Sequence, residues 1–305
     1  MTTPPALLIA GHGTRDEAGA EAFRDFVREL GRRHPELPVA GGFIELSPPP
    51  LGEAVAELVE RGVRRFAAVP LMLVSAGHAK GDIPAALSRE KERHPGISYT
   101  YGRPLGPHPA LLRVLERRLA AAVDPSWDPA EVTVLLVGRG STDPDANAEV
   151  FKAARLLWEG RDYAAVETAF VSLAQPDVPG GLDRCVRLGA RRVVVLPYFL
   201  FTGILPDRVR HQTEEWAAAH PETEVRSADV IGPEPELLDL VWERYEEAVK
   251  GDLRMNCDSC VYRIALPGFE DKVGLPQQPH FHPDDDGHHH HGHHHGHGHA
   301  HSHAH

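Results

Sequence analysis

One stretch of this chain is written twice. "GVRRFAAVPLML" at 62–73 falls on "GARRVVVLPYFL" at 189–200, an offset of 127 residues, and Gly11, Gly13, Thr14 and Asp16 fall at the same offset on Gly138, Gly140, Ser141 and Asp143. "LGPHPALL" at 105–112 falls on "IGPEPELL" at 231–238, an offset one residue shorter. Three blocks repeated in one order restrict the fold to two copies of a single supersecondary unit. The copies span residues 1–125 and 130–250, and the proline- and aspartate-containing "DPSWDP" at 124–129 suits a linker between them.

Within each copy, short β-branched runs alternate with longer amphipathic segments, the pattern of parallel strands joined by helices. The first copy predicts strands near 6–10, 39–45, 65–72 and 97–101, with helices over about 18–33, 51–61, 82–93 and 109–122. The second predicts strands near 132–137, 164–171, 192–199 and 224–230. The expected fold class is therefore α/β: two similar doubly wound parallel-sheet lobes. Ligands of such sheets bind at the carboxyl ends of the strands, so the loops carrying His12, Glu45 and His78 should meet in one crevice. After residue 250 the composition changes. Residues 251–279 form a cysteine-containing extension, and 280–305 form a histidine-rich tail with too little apolar surface to fold.

Charge and composition narrow the partners. A net charge of -12 disfavours nucleic acid and anionic membranes. No apolar run nears the roughly 18 residues of a membrane span, and the opening "MTTPPALLIAGHGTRD" has no secretory pattern, so a cytoplasmic location is expected. Three cysteines, an odd number, do not suit a disulfide framework.

The copies differ where chemistry could reside. His12 aligns with Arg139, Glu45 with Ser172, and His78 with Leu205, so all three metal-competent side chains belong to the first copy. Taken singly, a histidine in a glycine-rich turn is more often a capping or surface residue than a ligand. Glu45, however, ends the apolar run "AGGFIEL", where a carboxylate is unfavourable without a partner. Two imidazoles and a carboxylate at strand ends suit divalent first-row metals, and the imidazoles can also take protons near neutral pH. "GHGTRD" lacks the lysine and spacing of a phosphate loop, which argues against a nucleotide site.

The motifs "GHGTRD" (11–16), "FIEL" (43–46) and "PLMLVSAGHAKGDIP" (70–84), with their second-copy counterparts, the "MNCDSC" stretch and the histidine-rich terminus, resemble the long sirohydrochlorin cobaltochelatases among the class II chelatases of tetrapyrrole biosynthesis. The resemblance covers nearly the whole chain. It implies two α/β lobes facing each other across a cleft for the macrocycle, with His12 and His78 matching the active-site histidines and Glu45 the acidic residue beside them. Insertion of a divalent ion into a ring with four inward nitrogens releases two N–H protons and strips water from the ion. The site therefore needs ligands and bases together. The implied partners are sirohydrochlorin and Co2+ as substrate metal, with Fe2+ or Ni2+ as alternatives that this ligand set does not separate.

Sirohydrochlorin is a polycarboxylate, so basic side chains should face it. Arg15, Lys80 and Arg139 are the candidates, and Ser75, Ala76 and Gly77 could offer backbone donors. Cys257 and Cys260 of "MNCDSC" leave a redox dithiol, a zinc half-site and iron–sulfur ligands open. The resemblance favours an iron–sulfur cluster, which would need non-cysteine ligands or the pair of a second chain in a homodimer. Cys185 aligns with Leu58 and reads as a packing residue.

Fourteen of the 21 histidines lie between His280 and His305, in runs broken by Gly, Ala and Ser, which reads as a metal-buffering tail rather than a tag. The expected function is Co2+ insertion into sirohydrochlorin on the anaerobic route to cobalamin. The alternatives are Fe2+ insertion for siroheme and, from a different class, metal storage or metallochaperone work by the tail. A storage protein offers no reason to confine His and Glu to one copy of a duplicated cleft.

Overall fold

The computed structural model describes residues 4–251 and 270–273. In the first copy the chain runs β1 (Ala6–Gly11), α1 (Glu17–Arg33), β2 (Val39–Phe43), α2 (Leu51–Glu60), β3 (Arg65–Pro70), α3 (Ile83–Arg93), β4 (Ser98–Tyr101) and α4 (Pro109–Ala122). The second runs β5 (Val132–Gly138), α5 (Pro144–Trp158), β6 (Ala165–Phe170), α6 (Val178–Arg187), β7 (Arg192–Pro197), α7 (Ile204–Ala219), β8 (Glu224–Ser227) and α8 (Pro235–Lys250). Each copy forms a four-stranded parallel sheet, in the orders β2-β1-β3-β4 and β6-β5-β7-β8. The two-lobed α/β reading holds. The predicted strands run past the ladders at 44–45, 71–72, 198–199 and 228–230, where the same apolar runs continue into the loops at the carboxyl ends.

Local chemistry explains the elements. β1 (ALLIAG) and β5 (VTVLLVG) are buried along their whole length, as parallel strands covered on both faces must be. The repeated aspartates are helix caps: Asp16 accepts from Gly19 N at 2.8 Å at the head of α1, and Asp143 accepts from Asp145 N at 3.1 Å at the head of α5. Gly13 and Gly140 lie at φ +103° and +87°, where a Cβ would sit 1.8 Å from the Glu45 carbonyl oxygen and 1.7 Å from that of Ser172. Only glycine permits this approach in either copy.

Among the described residues, the apolar side chains form three cores. The outer face of the first sheet packs on α2 and α3 through Leu51, Val55, Leu58, Ile83 and Leu87. The outer face of the second packs on α6 and α7, with Cys185 fully buried there and its thiol pushed up to about 12 by that burial. The inner faces of both sheets share one central core with α1, α4, α5 and α8.

In this core the copies exchange their last helices. α8 packs against β3 and β4 of the first sheet, while α4 packs against β7 of the second. The exchange is tied by polar contacts as well as apolar ones. Tyr245 of α8 donates to Pro5 O at 2.7 Å, buried Arg244 donates to Leu105 O at 3.1 Å, and Arg118 of α4 donates to Ile231 O at 2.8 Å. No helix among the described residues is long and apolar enough to cross a membrane.

The one-residue change in offset has a structural cause. His78–Asp82 forms a single π-helical turn ahead of α3, and a π turn carries one extra residue relative to an α-helix. Beyond it the copies align at 126: Ile83, Leu87 and Glu90 correspond to Val209, Thr213 and Trp216, all six buried, and the C-caps His94 and His220 correspond too.

Candidate metal centre and cleft

Three strand ends of the first sheet bring the cluster together. His12 directly follows β1 and Glu45 lies two residues past β2. Beyond the ladder, Glu45 N donates to His12 O at 3.1 Å, so the two side chains leave neighbouring segments side by side. His78 opens the π turn after β3. Tyr101 of β4 steadies that turn by donating to Ala79 O at 2.7 Å.

Glu45 Oε1 lies 3.4 Å from His12 Nε2 and 3.8 Å from His78 Nε2, and the two imidazoles meet edge to face at 4.3 Å between centroids. One ligand atom from each of the three residues falls within 4.8 Å of the others. The tautomers follow from the partners of the far nitrogens. His78 Nδ1 lies 2.6 Å from Asp82 Oδ2, and His12 Nδ1 lies 3.1 Å from Gly13 O. A carboxylate and a carbonyl only accept, so both Nδ1 atoms carry the proton in the neutral rings and both Nε2 atoms present a lone pair. Two lone pairs converging on a carboxylate oxygen form a donor set that could hold a cation.

The electrostatics favour the neutral form of His78. Burial pushes its pKa down, and the positive charge of Arg139 adds to this against the opposing pull of Asp82 and Glu45. Burial also lowers the pKa of Arg139, with Glu45 acting in the other direction. The residue that replaces His12 in the second copy therefore faces the cluster across the gap between the lobes.

That gap is a cleft of about 330 Å³ lined from both lobes, by His12, Arg15, His78 and Ala76 on one side and Arg139 and Tyr198 on the other. The apolar side chains Phe23, Phe43, Leu71, Leu73 and Val150 cover much of its surface. The expected convergence of loops at the carboxyl ends is met. The expected donors divide. Arg15, Ala76 and Arg139 line the cleft, whereas Ser75 N is taken by Glu149 Oε2 at 2.8 Å. Gly77 is buried at the start of the π turn.

Lys80 turns away from the cleft. Its ammonium, with the side chain 4% exposed, donates to Asp143 at 2.7 Å and Asp145 at 2.9 Å, and both carboxylates are equally buried. Burial works against the charge of Lys80, but these hydrogen bonds outweigh it and hold the ammonium above its usual range. Lys80 is thus a strut between lobes, saturated by two acids, rather than a group free to meet a ligand carboxylate. Sequence reading passed over Asp82, although its spacing of four from His78 is the spacing of helical neighbours. It also passed over Asp143, Asp145 and Tyr198, whose roles depend on the facing lobe. Cys257, Cys260 and the histidine-rich tail lie outside the described residues.

Comparison with known proteins matches both copies of the duplication. The CbiX family model matches residues 6–122 and 133–248, one match per copy. The sirohydrochlorin cobaltochelatase of Priestia megaterium is 38% identical over 265 residues, covering 86% of this chain and 85% of its own. The sirohydrochlorin ferrochelatase of the same organism is 34% identical over 212 residues, covering 69% and 78%. Among solved structures, SirB from Bacillus subtilis with Fe3+ superposes with a TM-score of 0.70 at 27% identity, covering 82% of this chain and 97% of that one. The sirohydrochlorin chelatase SirB of Bacillus subtilis subspecies spizizenii in complex with cobalt gives 0.66 at 27% identity, covering 81% and 96%. With both copies matched separately and relatives aligned along most of their length, the chain belongs to the CbiX family.

Proposed function

We propose that this protein is a sirohydrochlorin chelatase and that its substrate metal is Co2+. The observation that carries the reading is the convergence of His12 Nε2, Glu45 Oε1 and His78 Nε2 at the edge of a two-lobed, largely apolar cleft, in one copy of the duplication only. A flat macrocycle suits the apolar walls, and Arg15 and Arg139 offer guanidinium groups to its peripheral carboxylates. The ion is held by the three converging atoms, which replace part of its water. Nε2 lone pairs that do not bind it are placed to accept the pyrrole protons, and Glu45 compensates the charge of the ion.

Co2+ rather than Fe2+ is favoured by the match to the cobaltochelatase of P. megaterium, which covers more of this chain at higher identity than the ferrochelatase of the same organism. The ligand set accommodates either ion. The test is the anaerobic initial rate of Co2+ and Fe2+ insertion into sirohydrochlorin, followed by absorbance, for wild type and His12→Ala. A faster Co2+ rate that falls about 100-fold or more in the variant is expected. Faster Fe2+ insertion would assign the protein to siroheme formation, and no rate above background with either ion would reject the chelatase reading.

A further inference from the structure

The metal cluster borders a second cavity. On the face of the first sheet covered by α2 and α3, these helices leave a space of about 820 Å³ whose lining includes Glu45, His78, Asp82, Glu53, Ala56 and Ala86. His78 lines both this space and the interlobe cleft, and Glu45 lines this space while its Oε1 faces the Nε2 atoms of both histidines. The cluster is therefore a partition between two openings. A macrocycle seated in the cleft covers it from one side only.

The second copy fills the corresponding position with a different side chain. At the 127 offset, Glu53 and Ala56 correspond to Gly180 and Asp183; at the 126 offset that follows the π turn, Glu90, which also lines the cavity, corresponds to Trp216. There Trp216 Nε1 donates to Asp183 Oδ1 at 2.8 Å, bridging α6 and α7 with the tryptophan 6% exposed. The copy without metal ligands places an indole between the two helices, whereas the copy with them places the smaller side chain of Glu90, 5% exposed, at the edge of the cavity.

Glu45, Glu53, Asp82 and Glu90 face the cavity against the cations Arg89 and Arg93, and Arg93 pairs with Glu90 at 2.6 Å. We propose that the divalent metal reaches the His12–Glu45–His78 cluster through the α2/α3 cavity, by a route separate from the cleft that admits the macrocycle. This rests on the metal-insertion reading above. Its consequence is kinetic: an ion can still arrive after the macrocycle has bound.

The test is order of addition in anaerobic stopped flow. Enzyme preloaded with sirohydrochlorin is mixed with Co2+, and enzyme preloaded with Co2+ is mixed with sirohydrochlorin. Two obstructions are compared with wild type: Ala86→Phe from α3, and Ala56→Asp with Glu90→Trp, which transplants the closure of the second copy. Equilibrium Co2+ binding, read from the visible d–d absorption of the ion, shows that the ligands are intact in whichever variant is used.

The second-order rate for Co2+ should fall at least tenfold when the macrocycle is loaded first, with the metal-first rate within twofold of wild type. Obstructed variants that leave the macrocycle-first rate unchanged, or that slow both orders alike, would overturn the route. A wild type that inserts no metal in either order rejects the chelatase reading itself. In that case Co2+ association with the macrocycle-loaded protein judges the route by the same tenfold criterion.

Discussion

At the scale of residues, each ring of the cluster is oriented by its far nitrogen. Asp82 holds the Nδ1 proton of His78 at 2.6 Å and leaves Nε2 directed at Glu45. Asp82→Ala should therefore weaken Co2+ binding by about 10- to 100-fold while the fold persists, measured by titration of the visible Co2+ spectrum against a thermal melt. Arg139 makes a different contribution. It lines the cleft from the second lobe, and its charge reaches Glu45 and His78. Arg139→Met should raise KM for sirohydrochlorin by about tenfold, the order expected for a lost charge-assisted hydrogen bond. Arg184→Met, at a half-exposed arginine on α6, should leave KM unchanged. Equal effects of the two substitutions would remove Arg139 from substrate binding.

Among elements, the π turn is the decisive one. The extra residue lies in the turn that presents His78 to the cluster, between a strand end and a helix that otherwise repeat the second copy. The same turn is clamped to the other lobe. Lys80 is buried between Asp143 and Asp145 at the head of α5, and Ser75 N, just before the turn, donates to Glu149 one helical turn further along. Burial raises the pKa of Glu149, with Asp145 acting in the same direction against the Ser75 hydrogen bond and Lys80. Removing one partner of a buried ion group leaves uncompensated charge, so Lys80→Met should destabilise the protein by about 3–5 kcal/mol. Denaturant unfolding measures this. A loss no larger than that of an exposed lysine would show that the clamp contributes nothing.

For the whole molecule, the exchanged helices join the two lobes through one shared core. Arg103, after β4, donates to Glu247 of α8 at 2.7 Å, and Arg244 reaches the same carboxylate at 3.0 Å. The hydrogen bond from Arg103 is the main cause that holds the Glu247 carboxyl below its ordinary value of 4.5, with burial opposing it. A carboxyl depressed in the folded state binds fewer protons there than in the unfolded chain. Its contribution is therefore present above about pH 4.5 and is lost as pH falls through the lower folded value. Glu247→Gln should be less stable than wild type at pH 7, and the gap should narrow as pH falls below 4.5 if the carboxyl acts as described. A gap independent of pH would assign the effect to packing.

The duplication, the strand and helix order and the asymmetry that singles out His12, Glu45 and His78 were legible in the residues. They depend on periodicity, on glycine and aspartate at fixed offsets, and on comparison of a chain with itself, all of which are local or internal to the sequence. The exchange of α4 and α8 was not legible, because a repeat says which segments are alike and not which copy each one packs against. For the same reason Lys80 reads as a candidate for a substrate carboxylate until α5 brings two buried acids to it. The single-residue shift in offset is visible in the letters, but its meaning is not. Only the backbone shows that the extra residue lies in a π turn, because helical phase is set by hydrogen-bond register and not by composition.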